Sequence, residues 1–270
     1  MTRWGALFVS LTLIAGCSTL PPRIVSEEQR KIKDLNERAL LSADQGHIAD
    51  SHRLLAEAVR RSYALDDQDS LALTSLNQSR LARHGGDLKA AVEAANRAVK
   101  LGTASHYYAD AAQEMALIEL DGTRFDEALR WAELARNTEQ GRLIGRRLNL
   151  LARIHLLLGR LDAAEQLANE GLKASEHSDL YAEQANSLRM LGRIYSRRGQ
   201  LIKAGDTLNQ ALLRDKMLAD SDKIAADLEA LAELAKQEGN DQKFADYAQR
   251  AMLVRESLRN KGTAAGKSQR

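Results

Sequence analysis

The chain has 270 residues, 28% of them charged and 4% aromatic, with 39 basic against 37 acidic side chains and a formal net charge of +2. That balance excludes the strongly basic surface on which a nucleic-acid partner depends. A single cysteine, Cys17, excludes any internal disulfide.

The first residues read as a targeting segment rather than as fold. Arg3 supplies a short positive region, and Ala6 to Ala15 is apolar except for Ser10 and Thr12. Such a run is too short for a hydrocarbon core of ~30 Å, which takes about 20 residues. It fits a secretory signal. Its end, Leu13-Ile14-Ala15-Gly16-Cys17, resembles a bacterial lipobox. The resemblance implies cleavage before Cys17 and acyl chains, palmitate among them, on its thiol and new amine. Several chains anchor stably where one does not, at roughly 0.8 kcal/mol per buried methylene. Ser18 follows, and by resemblance to enterobacterial lipoproteins a residue other than Asp there implies the outer membrane, with the protein facing the periplasm. Pro21 and Pro22 stiffen a linker of about eight residues, which at ~3.1 Å each keeps the following domain within roughly 25 Å of the leaflet.

From Ser26 onward the pattern is helix after helix, with no sustained period-2 run of Val, Ile and Thr. The breaks fall at glycines and at clusters such as Asp66-Asp67, Gly102-Thr103 and Asp220-Ser221-Asp222. Glycines that turn one helix into the next are expected at Gly46, Gly86, Gly122, Gly159, Gly199 and Gly239, spaced by 40, 36, 37, 40 and 40 residues. Gly85-Gly86 and Gly122-Thr123 look like one-residue slips at their turns.

The first unit offers Leu35, Ala39, Ile48, Ser51, Leu55 and Ala58, with Ser42 where an aromatic residue is expected. Second helices follow with Leu88, Ala91, Ala95 and Ala98, then with Phe125, Ala128, Ala132 and Ala135. The fourth unit carries Leu148, Leu151, Ala152, His155, Leu161, Ala164 and Ala168. The fifth is clearest: Leu188, Leu191, Gly192 and Tyr195, then Gly199, then Leu201, Ala204, Leu208 and Ala211. Small residues at Gly192 and Ala204 mark where two helices must approach closely. The sixth unit degrades, with Asp241 and Phe244 where a large apolar and a small residue belong.

This order of large, small, aromatic, turn and small positions resembles the tetratricopeptide (TPR) unit. The implied fold is all-α, a right-handed superhelical solenoid of about six TPR-like hairpins. Two departures stand out: periods above the roughly 34 residues of the standard unit, and no proline closing any second helix. The expected organisation is a signal peptide over residues 1–16, a lipidated cysteine and linker over 17–26, the repeat domain over 27–259, and a basic flexible tail over 260–270.

No catalytic pattern is legible. The six histidines make no paired metal-ligand spacing, G-x-S-x-G and P-loop sequences are missing, and carboxylates are scattered over helix faces. No cofactor, metal or enzymatic activity is expected. His155 takes the aromatic slot of its repeat, which makes it a packed core residue rather than a ligand.

In TPR-like arrays the first helix of each hairpin lines the concave groove. With the turn glycine set as the fifteenth position, that resemblance places Arg146, Asn149, Arg153, Leu156 and Leu157 of the fourth unit in the groove. It adds Asn186, Arg189, Arg193, Ser196 and Arg197 of the fifth. Adjacent arginines and asparagines suit a carboxylate, although a solvated polar face also has to put its charges somewhere. The sixth unit turns acidic at Glu229 and Glu233. The expectation is a membrane-anchored periplasmic adaptor that binds a protein or peptide partner in this groove and contacts the membrane only through its lipid. The alternatives are a structural homo-oligomer, or a cell-wall-modifying enzyme.

Overall fold

The computed structural model describes residues 25–139 and 141–267. The expected signal peptide, Cys17 and the Pro21-Pro22 linker therefore lie outside the described residues. Among the described residues the structure is all-helical, twelve α-helices and one short 3-10 turn, Gly102–Ala104.

Consecutive helices pair into six antiparallel hairpins. These are α1 (Glu27–Asp44) with α2 (Ile48–Ala64), α3 (Gln68–His84) with α4 (Leu88–Lys100), and α5 (Tyr108–Asp121) with α6 (Phe125–Thr138). Then come α7 (Ile144–Leu157) with α8 (Leu161–His177), α9 (Tyr181–Arg197) with α10 (Leu201–Met217), and α11 (Ser221–Gln237) with α12 (Asp241–Lys267). The array is a TPR-like superhelical solenoid. Its long repeats come mainly from helices of 17 residues, as in α2, α3 and α8 through α11. The second hairpin instead has a 13-residue α4 and a longer link to α5.

Local chemistry starts and stops these helices. Ser26 caps α1 in a reciprocal box with Gln29, and the Asp67, Asp87 and Asp220 carboxylates accept the backbone N–H groups of Ser70, Ala90 and Lys223. Five of the six expected turn glycines sit in the left-handed region, at φ between 68° and 81°. The third turn corrects the sequence reading. There the left-handed residue is Thr123, at φ 58°, and Gly122 is the ordinary residue before it. The helices flanking Thr123 end and restart two residues to either side, as they do around Gly159 and Gly199.

Alanines make the close contacts within hairpins. Ala39, Ala58, Ala91, Ala95, Ala128, Ala164, Ala168 and Ala204 are fully buried. A β-carbon on Gly192 would lie 2.6 Å from Cγ of Leu208 and 3.4 Å from the Ala204 carbonyl, so the expected close approach of α9 and α10 is real. Hairpins four to six share one continuous core that includes Leu191, Ile194, Tyr195, Leu208, Leu228 and Leu231. Hairpins one and two are held by smaller clusters around Leu55 and Leu76.

First helices also touch the next first helices: α1 with α3, α3 with α5, α7 with α9 and α9 with α11, while successive second helices do not do so to the same degree. The stack therefore closes more tightly along its first helices, and those line the inner face. The thinnest contact of this kind is α5 with α7. Helix α12 carries the helical backbone on to Lys267. No proline interrupts it, and Ala264-Ala265 favour helix. Among the described residues no helix is long and apolar enough to cross a membrane.

Candidate functional site: a trough between three first helices

Helices α7, α9 and α11 run side by side on the inner face and enclose a trough made of two depressions that share Arg193. The first, about 370 Å³, is lined by Arg146, Asn149 and Arg153 of α7, by Asn186, Arg189, Met190 and Arg193 of α9, and by Lys223 and Ala226 of α11. Gln113 and Leu117 of α5 close its far side. The second, about 320 Å³, continues toward the turn ends of the same helices, with Leu156, Leu157, Ser196, Arg197, Glu229, Ala230 and Glu233. Six of the seven groove residues read from the sequence thus meet at one depression, and Arg197 lies in the next.

They do not share a role. Glu183, buried and missed by the sequence reading, gathers three of them. Its carboxylate accepts from Arg146 Nε at 2.9 Å and from Asn186 Nδ2 at 3.1 Å, and its backbone carbonyl accepts from Asn149 Nδ2 at 3.0 Å. Asn149 in turn accepts from Ser187 Oγ at 2.7 Å and is buried. It pins hairpin four to hairpin five and offers nothing to a ligand.

Arg189 also departs from its expected role. The sequence places it off the packed stripe, yet it is 4% exposed. Its guanidinium donates to Asp227 of α11 at 2.5 Å, to Asn186 at 2.7 Å and to Asp215 of α10. A buried guanidinium without such partners is prohibitively costly, so the acids follow from the burial. Burial is also the main influence on Asp215. With Asp227 beside it and only the Arg189 cation opposing, its carboxyl is pushed up to about 7. Two carboxylates share one guanidinium, and a proton on Asp215 relieves the excess negative charge.

What remains free is Arg153, Arg193 and Arg197. All three are exposed, and none pairs with a described carboxylate. Arg193 is crowded by the walls of the trough, and that burial, reinforced by the Arg189 and Arg153 guanidinium groups, holds it below the usual arginine value. Like charges therefore stand close together, with Asp227 and Glu229 near enough to Arg193 to offset them in part. Lys223, absent from the sequence reading, adds a fourth cation at the rim. On the opposite wall Glu229 is taken by Arg255 of α12 at 3.1 Å, whereas Glu233 has no described partner. Leu157, 49% exposed, supplies the largest open apolar surface in the second depression.

Elsewhere polar side chains pair between neighbouring hairpins. Asn36 donates to Thr74 and accepts from Asn77, both at the next first helix, and Arg83 binds Glu114 at 2.7 Å. Arg147, 1% exposed, reaches Asp110, Gln113 and Glu139. His155 is half-buried, and burial together with the nearby Arg160 pulls its imidazole below the usual histidine value. Among the described residues no group of three His, Cys, Asp or Glu side chains is arranged to hold a metal.

No family model matches the sequence, and no curated protein matches it. Solved structures do. The chain is similar to pilF of Pseudomonas aeruginosa, at 15% identity over 90% of this chain and 100% of that one, with a TM-score of 0.58. It is similar to PilW, a type IV pilus biogenesis factor, at 16% identity over 80% and 90% with a TM-score of 0.61. It is also similar to the Rap conjugation gene regulator of plasmid pLS20 in complex with the Phr* peptide, at 14% identity over 89% and 66% with a TM-score of 0.69. At such identities the likeness shows the fold, and the fold is a TPR-like helical repeat array.

Proposed function

We propose that the protein is a lipid-anchored adaptor or assembly factor of the bacterial outer membrane, facing the periplasm, whose trough holds an acidic segment of a protein partner. The observation that carries the binding reading is the row of Arg153, Arg193 and Arg197, exposed in a recess and unpaired by any described carboxylate, while every cation buried nearby has its partner. A planar guanidinium fork suits a carboxylate, and two held close together suit one or two of them. Two similarly folded proteins lend support: a Rap regulator whose structure is of a complex with a peptide, and PilW, a type IV pilus biogenesis factor. The anchoring part rests on the sequence Leu13-Ile14-Ala15-Gly16-Cys17.

The test is site-specific photocrosslinking in the native host. A benzophenone side chain at Leu157, inside the trough, should give a discrete partner adduct, and the same group at Leu213, exposed on a second helix, should give none. Equal crosslinking from both positions ends the trough reading. Cys17→Ala should release the folded domain from membranes washed at high salt; retention would rule out the lipid anchor.

A further inference from the structure

The outer sides of the first and the sixth hairpin are built differently. Hairpins five and six repeat at 40 residues, from Gly199 to Gly239, so each position of α12 has a counterpart in α10. Ala204, Leu208 and Leu212 of α10 are between 0% and 5% exposed, packed in the core that α11 shares. Their counterparts in α12 are Phe244, Ala248 and Met252. Phe244 is 39% and Met252 51% exposed, with Ala248 half-buried between them. At a spacing of four residues they form one apolar stripe along the helix. The α10 register would end α12 at Ser257, yet it runs ten residues further, to Lys267, so no turn brings the chain back over the stripe as the earlier turns do. On α1, aligned with α9 by the turns at Gly46 and Gly199, Asp34 and Arg38 take the places of the buried Ser187 and Leu191. Both are exposed, and they pair with each other at 3.3 Å, with Leu41 beside them. The outer hairpin of a solenoid needs a polar face. The first hairpin has one; the sixth presents an aromatic ring and a thioether.

We infer that the stripe docks a second copy of this chain, α12 against α12, about a twofold axis at Ala248. A twofold contact needs a self-complementary surface, on which residue i meets j and j meets i. An antiparallel pairing centred on Ala248 provides it. Each Phe244 lies over Met252 of the second copy, ring against thioether, and the small Ala248 side chains let the two helices approach closely at the axis. Charge selects the orientation. Asp241 and Arg255 flank the stripe on the same side of the helix; antiparallel, each faces the other, whereas a parallel pairing sets acid on acid and cation on cation. Arg255 already holds Glu229 at 3.1 Å and Asp222 at 3.0 Å, so the apolar pairs supply most of the affinity. A head-to-tail contact is worse, since it strips water from Asp34 and Arg38 against an apolar stripe. None of the three stripe residues lines the trough, so a dimer presents two troughs.

Sedimentation equilibrium of the chain from Ser18 onward, which keeps every described residue, should show monomer and dimer in exchange. One helix face is a small interface, so its dissociation constant belongs in the micromolar range or above, within reach of samples up to about 200 µM. Phe244→Lys and Met252→Lys should each weaken the dimer on the order of tenfold or more, by burying a charge at the contact. Leu41→Lys, on the first hairpin, should stay within about twofold of wild type. All three side chains are exposed, circular dichroism checks helicity, and Met252→Gln serves if a lysine variant does not fold. The chain from Ser18 has no cysteine of its own, so introduced ones read the geometry. Ala248→Cys should form an intermolecular disulfide under mild oxidation, and Ile202→Cys, exposed on α10, should not. A mixture of Phe244→Cys and Met252→Cys should give the mixed dimer in excess over either homodimer. A chain that stays monomeric at about 200 µM overturns the inference. So does a dimer that weakens with Leu41→Lys and survives Met252→Lys, and so do equal disulfide yields at positions 202 and 248.

Discussion

Two arginines four residues apart on α9 illustrate how burial assigns a role that residue type cannot. Arg189 and Arg193 lie at the same helical phase, and both line the trough. Only Arg189 hydrogen-bonds carboxylates of the helices packed against it, Asp215 of α10 and Asp227 of α11. Arg189→Ala leaves two buried acids without their cation and is expected to cost about 3–5 kcal/mol, whereas Arg193→Ala should cost under about 1 kcal/mol. Urea denaturation of the two variants separates them, and equal losses would contradict the burial argument. Asp215 adds a pH dependence. Its folded-state pKa of about 7 lies above its ordinary value near 3.8, so the native state binds the extra proton between those limits. Its contribution is fully present below pH ~4 and is lost as pH rises through 7. Asp215→Asn removes this titration while keeping an acceptor for Arg189. The melting temperature of the variant, relative to wild type, should therefore rise from pH 5 to pH 8. A difference constant with pH would mean that Asp215 is already ionised at pH 5.

Within elements, the sequence exposed almost all of the architecture because apolar stripes and turn residues act locally. Twelve helices, six hairpins and five of six turn positions follow from the spacing of Leu, Ala and Gly alone. The miss at the third turn has a simple origin: glycine is the usual left-handed residue, and Gly122 stands one place too early. The chain keeps its helix ends in register and puts Thr123 into the strained conformation instead. A β-branched side chain there costs roughly 1–2 kcal/mol, of which the extra freedom of an unfolded glycine cancels a part. Thr123→Gly should thus stabilise by about 0.5–1 kcal/mol and raise the melting temperature by roughly 1–4 °C. A lower melting temperature would show that the Thr123 side chain makes a compensating contact. The trough residues were legible as a set because helical phase fixes the face. Their engagement was not, since phase says nothing of the neighbour one repeat away. A usable signal existed: Arg146 and Glu183, Arg147 and Asp110, and Arg189 and Asp227 are opposite charges 37, 37 and 38 residues apart, within the range of the repeat spacing.

Across the whole molecule those pairs form a ladder between successive first helices, one set at each junction from Asn36–Asn77 to Arg189–Asp227. In a solenoid the stability is close to a sum over hairpins and their junctions, so a weak junction divides the array. The junction of hairpins three and four combines the thinnest contact between first helices with the most buried arginine among the described residues, Arg147. A modest apolar cluster of α5, α6 and α7, with Leu120, Ala128, Leu151 and Ile154, spans that junction; beyond it hairpins four to six share one continuous core, while hairpins one and two rest on small clusters. Arg147→Ala strands Asp110 and Glu139 and removes the polar link across that junction. Unfolding should then lose its cooperativity there. Amides of α1 through α6 are expected to exchange with protection lowered by about 2 kcal/mol or more, and those of α9 through α12 to stay close to wild type. The trough lies on the stable side, so its geometry, and with it the proposed capture of a partner, should survive in the variant at moderate temperature. Hydrogen exchange resolved by fragment decides the matter: protection lost evenly from α1 to α12 would mean that the array unfolds as a single cooperative unit.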